Sequence, residues 1–548
     1  MYIIGISAYY HDSSACLFNN GILMFACEEE KFTGIKHDSA FPQNVINYIF
    51  KQYKLTKDDI DCVCYYEDPK LRFGRKKSYI STYIHNLKVR YNLSKISKKQ
   101  YYTPHHLSHM AYAFASSKFD KATVVSIDGV GETSSVSIGN GTNNTIHQIK
   151  TIEYPHSLGL FYSAMTAYLG FKPNEGEYKV MGLASYGDPI KYITNMRELI
   201  SYEQGNIKCN MNVFCWDRSN KTMFNENMIF KLPLDPRLPN EEITQDHKDL
   251  AAAIQLRYEE IFFKILEDAK TYFKSENLCL GGGCAYNGRA NGKVIKAGLF
   301  KNLWVPPAPS DAGSAIGSCL YYLNHELTMN VRLRTNPFLG PKFNNDIILK
   351  EIKRTKNIKF KEQSPHRVIL RVAEYLNDGL VVGWYQGKIE FGSRALGNRS
   401  ILANPTIPGM QDKINKVIKK REGFRPFAPM VTFEDQNKYF NSKDYIPYMN
   451  QVVEVRDEYI NKLPAVTHVD GTARVQSVTP YFNPVYELLK EFEKKSGYPI
   501  LLNTSFNIKD KTMVLTPKDA IETFLDTEMD ILVLNNYIIL KANNENIN

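Results

Sequence analysis

The stretch YIIGISAYYHDSSACLF (residues 2–18) opens with an apolar run, crosses a polar turn and returns to a second apolar run. That pattern reads as two strands joined by a hairpin, and GILMFACEEEKF (21–32) supplies a third. The chain therefore begins as a β-meander. A related shape returns at TVVSIDGVGETSSVSI (123–138), where a β-branched strand runs into Asp128, Gly129 and Gly131 before a second strand. Small, Gly-rich turns of this kind expose backbone N–H groups that cradle phosphates, and an Asp at a strand end can hold a cation.

Working outward, repetition of such a unit carries more information than either copy alone. Two hairpins, one per half, are what a duplicated architecture of the actin, Hsp70 and sugar-kinase kind requires. LCLGGGCAYNGRANGKV (278–294) then places three glycines between an apolar strand and a helix, where a backbone can approach a nucleotide closely and Asn287 can touch it. PPAPSDAGSAIGSCL (306–320) puts Asp311 just before a small-residue helix, as a ligand or simply as its N-cap.

TPHHLSHMAYAFA (103–115) concentrates three histidines at the start of another helix, with Thr103 as cap and Pro104 in the first turn. His105 and His109, four apart, could share one metal ion; the i,i+3 pair His106 and His109 is sterically open as well. The metalloprotease pattern HExxH is excluded, because His106 stands where its glutamate would be. One such pair is within chance for 12 histidines in 548 residues. Joined to Asp128 and Asp311, however, His105 and His109 make a mixed nitrogen and oxygen set that Fe(II) or Zn(II) accepts.

A composition of 43% hydrophobic and 23% charged residues is that of an ordinary globular chain, with room for more than one domain. No basic region precedes an N-terminal apolar run and no segment nears 18 uninterrupted apolar residues, so neither secretion nor a membrane span is expected. The nine cysteines form no CxxC pair, which fits reduced thiols and a cytoplasmic protein. The net charge of +10 is matched by residues 70–99 alone, which hold ten Lys or Arg and no Asp or Glu. That stretch is either a solvated face or a docking surface for an acidic acceptor, nucleic acid or an anionic membrane.

Around residues 330–365 the sequence reads as a connection, through NPFLGPKFNND and KEIKRTKNIKFKEQ. A second domain is expected beyond it. There, GWYQGKIEFGSRALGNRSILANP (383–405) and KVIKKREGFRPFAPMV (416–431) gather Lys388, Arg394, Arg399, Lys419, Arg421 and Arg425. Arginines set among Gly, Phe, Ala and Pro, rather than alternating with acids, look like forks aimed at phosphate or carboxylate groups.

Eleven stretches, in order along nearly the whole chain, resemble the O-carbamoyltransferase family of the NodU/CmcH type: GISAYYHDSSA, KHDSAFP, HHLSHMAYAF, SIDGVGE, GEYKVMGLASYG, GGGCAYN, PAPSDAGSAIG, EFGSRALGNRSILANP, REGFRPFAP, HVDGTARVQ and LLNTSFN. The resemblance implies an α/β chain with a duplicated actin/Hsp70/sugar-kinase-like (ASKHA) domain over residues 1–345, a linker at 346–365 and a YrdC-like α/β domain over 366–548. The first domain would resemble the metal-binding subunit of tRNA threonylcarbamoyladenosine synthesis. It implies an enzyme that makes carbamoyl-adenylate from ATP and carbamoyl phosphate and passes the carbamoyl group to a hydroxyl of a small-molecule or sugar acceptor.

Carried over by position, the resemblance selects His105, His109, Asp128 and Asp311 for a divalent metal, with Fe2+ expected and Mg2+ accompanying ATP. It assigns His11 to catalysis beside the reactive carbonyl, and Gly281, Gly282, Gly283 and Asn287 to the adenylate. Arg394, Lys419, Arg425, Arg474, Asn503 and Ser505 would line the carbamoyl phosphate and ATP site. Lys31, Gly34, Ser393 and the run after Asn507 depart from the family pattern without removing a proposed ligand.

Two alternatives are a sugar kinase of the same superfamily and an ATP-dependent switch or nucleic-acid-binding protein. The histidine and aspartate set and the arginine-rich second half speak against the first. Nucleic acid is not expected as a partner, and binding that survives moderate salt would reinstate it. Homo-oligomer formation and the identity of the acceptor stay open.

Overall fold

The computed structural model describes residues 1–74, 79–219, 221–333 and 336–542. The chain divides into two compact units, Met1–Glu29 with His37–Thr335, and Glu30–Lys36 with Asn336–Asn548.

In the first unit, β1 (Tyr2–Ser7), β2 (Ser14–Asn19), β3 (Ile22–Glu28), β4 (Ile60–Tyr65) and β5 (Gln100–Tyr102) form a sheet of order β3-β2-β1-β4-β5. β1 pairs antiparallel with β2 and parallel with β4. A second sheet is built from β6 (Lys121–Ile127), β7 (Ser134–Thr142), β8 (Thr145–Glu153), β9 (Asn277–Gly281) and β10 (Asn302–Trp304), in the order β10-β9-β6-β7-β8. β6 pairs antiparallel with β7 and parallel with β9. Each sheet is thus a meander whose first strand also receives two parallel strands on its other edge. Identical topology twice over is the duplicated actin-like architecture, and the hairpins at 2–18 and 123–138 are its two openings. The central strands β1 and β6 are buried along nearly their whole length, which is why they read as apolar runs rather than alternating ones.

Three helices matter for the site: α1 (His105–Ala115), α2 (Gln245–Tyr272) and α3 (Asp311–Tyr321). The sequence DAGSAIGS lets α3 come close to two neighbours. A Cβ on Gly317 would lie 1.8 Å from the Ser108 carbonyl oxygen of α1, and one on Gly5 of β1 would lie 2.0 Å from that of Ala315. Thr103 does not cap α1 as its sequence suggests; its hydroxyl donates to the Ser318 carbonyl. Pro104 takes the cap position, and the first free N–H, that of His105, is bound instead by both carboxylate oxygens of Glu132 at 2.9 and 3.1 Å. A buried acid replaces the local cap at the positive end of the helix.

The second unit is an eight-stranded mixed sheet. Its strands are β11 (Ile358–Glu362), β12 (Val382–Tyr385), β13 (Arg399–Ala403), β14 (Ala428–Thr432), β15 (Gln476–Val478), β16 (Ile500–Ser505), β17 (Ile531–Leu534) and β18 (Tyr537–Lys541), ordered β11-β18-β17-β12-β13-β16-β14-β15. The stretch 346–365, expected as a linker, instead carries most of helix α4 (Asn345–Arg354) and the edge strand β11. Its charged composition belongs to a helix that buries only a stripe, with Ile348 and Ile352 inside, and to an edge strand with one neighbour. Among the described residues no helix is long and apolar enough to cross a membrane, and the nine cysteines are free thiols.

Candidate functional site

α1, the end of β6 and the first residue of α3 bring His105, His109, Asp128 and Asp311 together, all four buried, with one ligand atom from each within 4.8 Å of the others. Nε2 of His105 lies 2.8 Å from Asp128 Oδ2 and 3.0 Å from His109 Nε2. His109 Nε2 is 3.3 Å from Asp128 Oδ2 and 3.5 Å from Asp311 Oδ1, which is 3.6 Å from His105 Nε2. Donors about 2.1 Å from one cation stand about 3.0 Å apart in an octahedron and about 3.4 Å in a tetrahedron. The observed spacings fall around these values.

The bonding pattern points the same way. Asp311 is 0% exposed, yet neither carboxylate oxygen has a hydrogen-bond partner. It is not the helix cap, a position that Ser310 occupies. An unbonded buried carboxylate is costly unless a charge compensates it. Without a metal His109 supplies that charge: burial pushes it down, but Asp128 and Asp311 outweigh this and raise its pKa to about 9. Burial likewise opposes ionisation of Asp128, while His105 and His109 hold it well below the carboxylate range. His109 Nδ1 meets Ser314 Oγ at 3.0 Å, which orients the ring. These residues fit a divalent cation.

His106 faces elsewhere. Its Nδ1 is 2.9 Å from Ser126 Oγ and its Nε2 2.9 Å from the Ser134 carbonyl, so both ring nitrogens are engaged. Burial and the neighbouring His105 lower its pKa to about 3. It is a neutral tie between α1 and the sheet.

His11 sits in the first hairpin turn, its Nε2 3.8 Å from Asp311 Oδ2 and its Nδ1 3.0 Å from Asp12 Oδ2. The other Asp12 oxygen is 2.7 Å from His37 Nδ1. Backbone bonds from Tyr9 N–H to the Ser39 carbonyl and from Ser13 N–H to that of Asp38 fix the turn on the segment carrying His37. Burial alone would lower the His11 pKa, but Asp311 and Asp12 raise it to about 10.

The glycine turn closes over the cluster. Gly283 N–H donates to Asp128 Oδ1 at 3.0 Å. Gly282 has φ +84, and a Cβ there would lie 2.2 Å from the Ile127 carbonyl oxygen, so neither its conformation nor its surroundings admit a side chain. Gly281 ends β9 beside α1. Asn287 caps the following helix through Ala290 N–H and exchanges two amide hydrogen bonds with Gln255 of α2, at 3.0 and 3.1 Å. Its side chain is committed to protein partners.

In the second unit the charge is reversed. Lys419, 3% exposed, points Nζ at the Ser505 carbonyl (2.6 Å), the Asn507 carbonyl (2.9 Å), Asn507 Oδ1 (2.6 Å) and Ser505 Oγ (3.3 Å). None of these oxygens is charged. Burial and the nearby Arg421, Arg425 and Lys36 hold the lysine pKa well below its usual range. Burial and Arg394, Arg421 and Arg425 press on Arg474 in the same way. A guanidinium does not release its proton, so the direction reflects the cations gathered around Arg474. Arg425 Nη1 lies 3.5 Å from Glu422 Oε2.

The loop bearing Arg394 is wrapped around the buried Glu390, whose Oε1 accepts N–H groups from Leu396, Asn398 and Arg399 at 2.8, 2.8 and 3.1 Å. Asn503 holds the same loop, donating to the Ala395 carbonyl at 3.0 Å and to Gln476 Oε1 at 2.8 Å, while its Oδ1 is buried without a partner. Ser505 bridges Lys419 and Asn507. Arg399, one of the arginines that the sequence pattern aims at an anion, is spent on backbone carbonyls of residues 386–398 and stacks on Tyr385, 3.5 Å from the ring centre. Its position on a buried central strand gives it no access to a ligand. Lys388 is also outside the cluster around Lys419, with burial and Lys342 lowering its pKa.

Residues 2–92 and 75–320 match the family model described as carbamoyltransferase N-terminus, and residues 373–541 the one described as carbamoyltransferase C-terminus. An uncharacterized protein of Synechocystis sp. is 38% identical over 99% of this chain and 97% of its own length. Nodulation protein NolNO of Sinorhizobium fredii is 36% identical over 98% of this chain and 80% of its own. Among solved structures, HypF of T. kodakarensis aligns with 61% of this chain and 50% of its own, at 14% identity and a TM-score of 0.34.

Proposed function

The chain belongs to the carbamoyltransferase family, and on that premise we propose that it is an ATP-dependent O-carbamoyltransferase working in two steps. In the first, water cleaves the P–O bond of carbamoyl phosphate to leave carbamate and inorganic phosphate, and a carbamate oxygen then attacks the α-phosphorus of ATP, releasing pyrophosphate and leaving the carbamoyl group joined to AMP. In the second, a hydroxyl of a small-molecule or sugar acceptor attacks the carbamoyl carbon, the bond to AMP breaks, and the hydroxyl proton passes to a base.

The observation that carries this reading is the buried Lys419, whose Nζ is held by four neutral oxygens of Ser505 and Asn507 with Arg421 and Arg425 nearby. A buried cation among further cations is an arrangement that polyanionic co-substrates would relieve. Arg394, Lys419, Arg425 and Arg474 would bind and orient the phosphates, while Asn503 and Ser505 position the loop and the lysine. Arg421, restrained by Asn415 at 2.7 Å and the Phe427 ring at 4.7 Å, joins them through its charge.

In the first unit, His105, His109, Asp128 and Asp311 would hold a divalent metal, with Fe2+ a suitable ion for this donor set. When bound, such a cation polarises the carbamoyl oxygen and offsets the Asp311 charge that raises the affinity of His11 for a proton. His11 Nε2 is placed to take the acceptor proton, with Asp12 at Nδ1 holding the ring and stabilising it once charged. The side-chain-free backbone of Gly281, Gly282 and Gly283 suits close approach of the adenylate, while the N–H groups of Gly282 and Gly283 are already bonded to the Pro309 carbonyl and Asp128 Oδ1. Asn287 acts there by fixing the end of the glycine turn, since its side chain is already bonded.

The test is carbamoyl-phosphate-dependent exchange of labelled pyrophosphate into ATP, with no acceptor present. Exchange supports the first step; its absence in folded protein that binds ATP rejects the reading.

A further inference from the structure

The basic stretch 70–99 contains a helix, Tyr79–Ser94, that the proposed reaction does not use. Residues 75–78 of the stretch lie outside the described residues. One face of the helix is anchored. Val89 and Leu93 are fully buried, and His85 Nε2 lies 2.9 Å from Glu67 Oε1, whose other oxygen accepts Arg72 Nε at 2.9 Å. The opposite face is apolar and exposed: Ile80 69%, Tyr83 53%, Ile84 58%, Leu87 51% and Tyr91 64%. These positions follow the i, i+3, i+4, i+7, i+11 spacing of one helical stripe. Single exposed apolar residues are ordinary, but five on one helix face form a patch that a partner covers.

The margins of that stripe are cationic on both sides. At about 100° per residue, Lys88 and Arg90 stand about 80° to either side of the stripe centre. Both are exposed, with Lys88 Nζ 4.3 Å from the Tyr9 ring, and the exposed Lys95, Lys98 and Lys99 follow. No Asp or Glu occurs between residues 70 and 99. A symmetric contact with a second copy would set two such surfaces against each other with like charges facing. A planar array of anionic headgroups complements both margins at once, because long Lys and Arg stems lie along apolar surface while their charged ends reach the phosphates. Tyrosine at the edge of the stripe suits the same boundary.

We propose that the exposed face of the Tyr79–Ser94 helix docks on an anionic lipid surface, with Ile80, Ile84 and Leu87 entering the headgroup boundary and Lys88 and Arg90 flanking them. The probe is the full chain sedimented with phosphatidylcholine vesicles, with and without phosphatidylglycerol. Binding is expected only when phosphatidylglycerol is present, and is expected to weaken as salt rises. Ile84→Asp with Leu87→Asp should reduce it at least tenfold with the thermal midpoint unchanged, and Lys88→Ser with Arg90→Ser should reduce it less and flatten the salt dependence. Equal binding to both vesicles, or wild-type binding by the Asp variant, would overturn the proposal. So would a wild-type dimer that the Asp variant splits, or capture of an acidic amphipathic peptide by a chain that ignores vesicles.

Discussion

The two units each bury charge of opposite demand. In the first, two carboxylates and two imidazoles converge with both Asp311 oxygens unbonded, an arrangement that a divalent cation would satisfy. In the second, Lys419 is buried among neutral oxygens with Arg421 and Arg425 nearby, and Arg394, Arg421 and Arg425 gather around Arg474, an arrangement that anions would satisfy. Neither makes sense as a stabilising feature, since burying unmatched charge costs more than an apolar replacement would. On the proposed reading the difference divides the reaction, with electrophile activation assigned to the residues of the first unit and phosphate handling to those of the second, and perturbations should separate the two steps.

The largest separation is expected from His11→Asn. Losing a proton acceptor costs a transfer step about 10²–10⁴-fold, so AMP release to an acceptor should fall by that factor while pyrophosphate exchange stays near wild type. Arg425→Ala should instead suppress the first step. Loss of a charge-assisted bond of about 1.5–3 kcal/mol weakens exchange by roughly 10- to 150-fold, with metal content by elemental analysis unaltered. Asp311→Ala removes one of four donors; metal affinity should fall by more than the about 10–100-fold that a lost outer-shell partner costs, with exchange retained. The smallest effect belongs to His106→Ala, which lies beside the metal set without joining it. It should lower stability by about 1–3 kcal/mol, read by denaturant unfolding, and leave metal content unchanged. Loss of metal in that variant would break the distinction drawn between His106 and its neighbours.

Much of this was legible in the chain itself. The duplicated meander announces itself because central buried strands are written as apolar runs around polar turns, at 2–18 and again at 123–138. The convergence of His105 and His109 with Asp128 and Asp311 follows from those strands and from the small residues that let α3 lie against α1. What escaped were long-range substitutions for local rules. Glu132, four residues after Asp128 in a Gly-rich turn, caps α1 across 27 positions where Thr103 offered a nearer candidate. Gln255, in the middle of a long helix, gives no local sign that it will lock Asn287. Arg399 and Arg394 look alike in the same glycine-rich run, and only the pairing of β13 on both edges separates the buried one. The charged segment 346–365 shows that an edge strand and a surface helix can be written in the composition of a connection.

The most direct measurement is pyrophosphate exchange, with Mg–ATP and carbamoyl phosphate supplied, on wild-type protein before and after the metal of the His105, His109, Asp128 and Asp311 set is stripped by chelation, with Arg425→Ala measured alongside. The account predicts that stripped wild type still exchanges, and that the variant holds its metal but exchanges roughly 10- to 150-fold less. If exchange disappears with the metal while Arg425→Ala exchanges normally, the two sites do not divide the reaction as proposed.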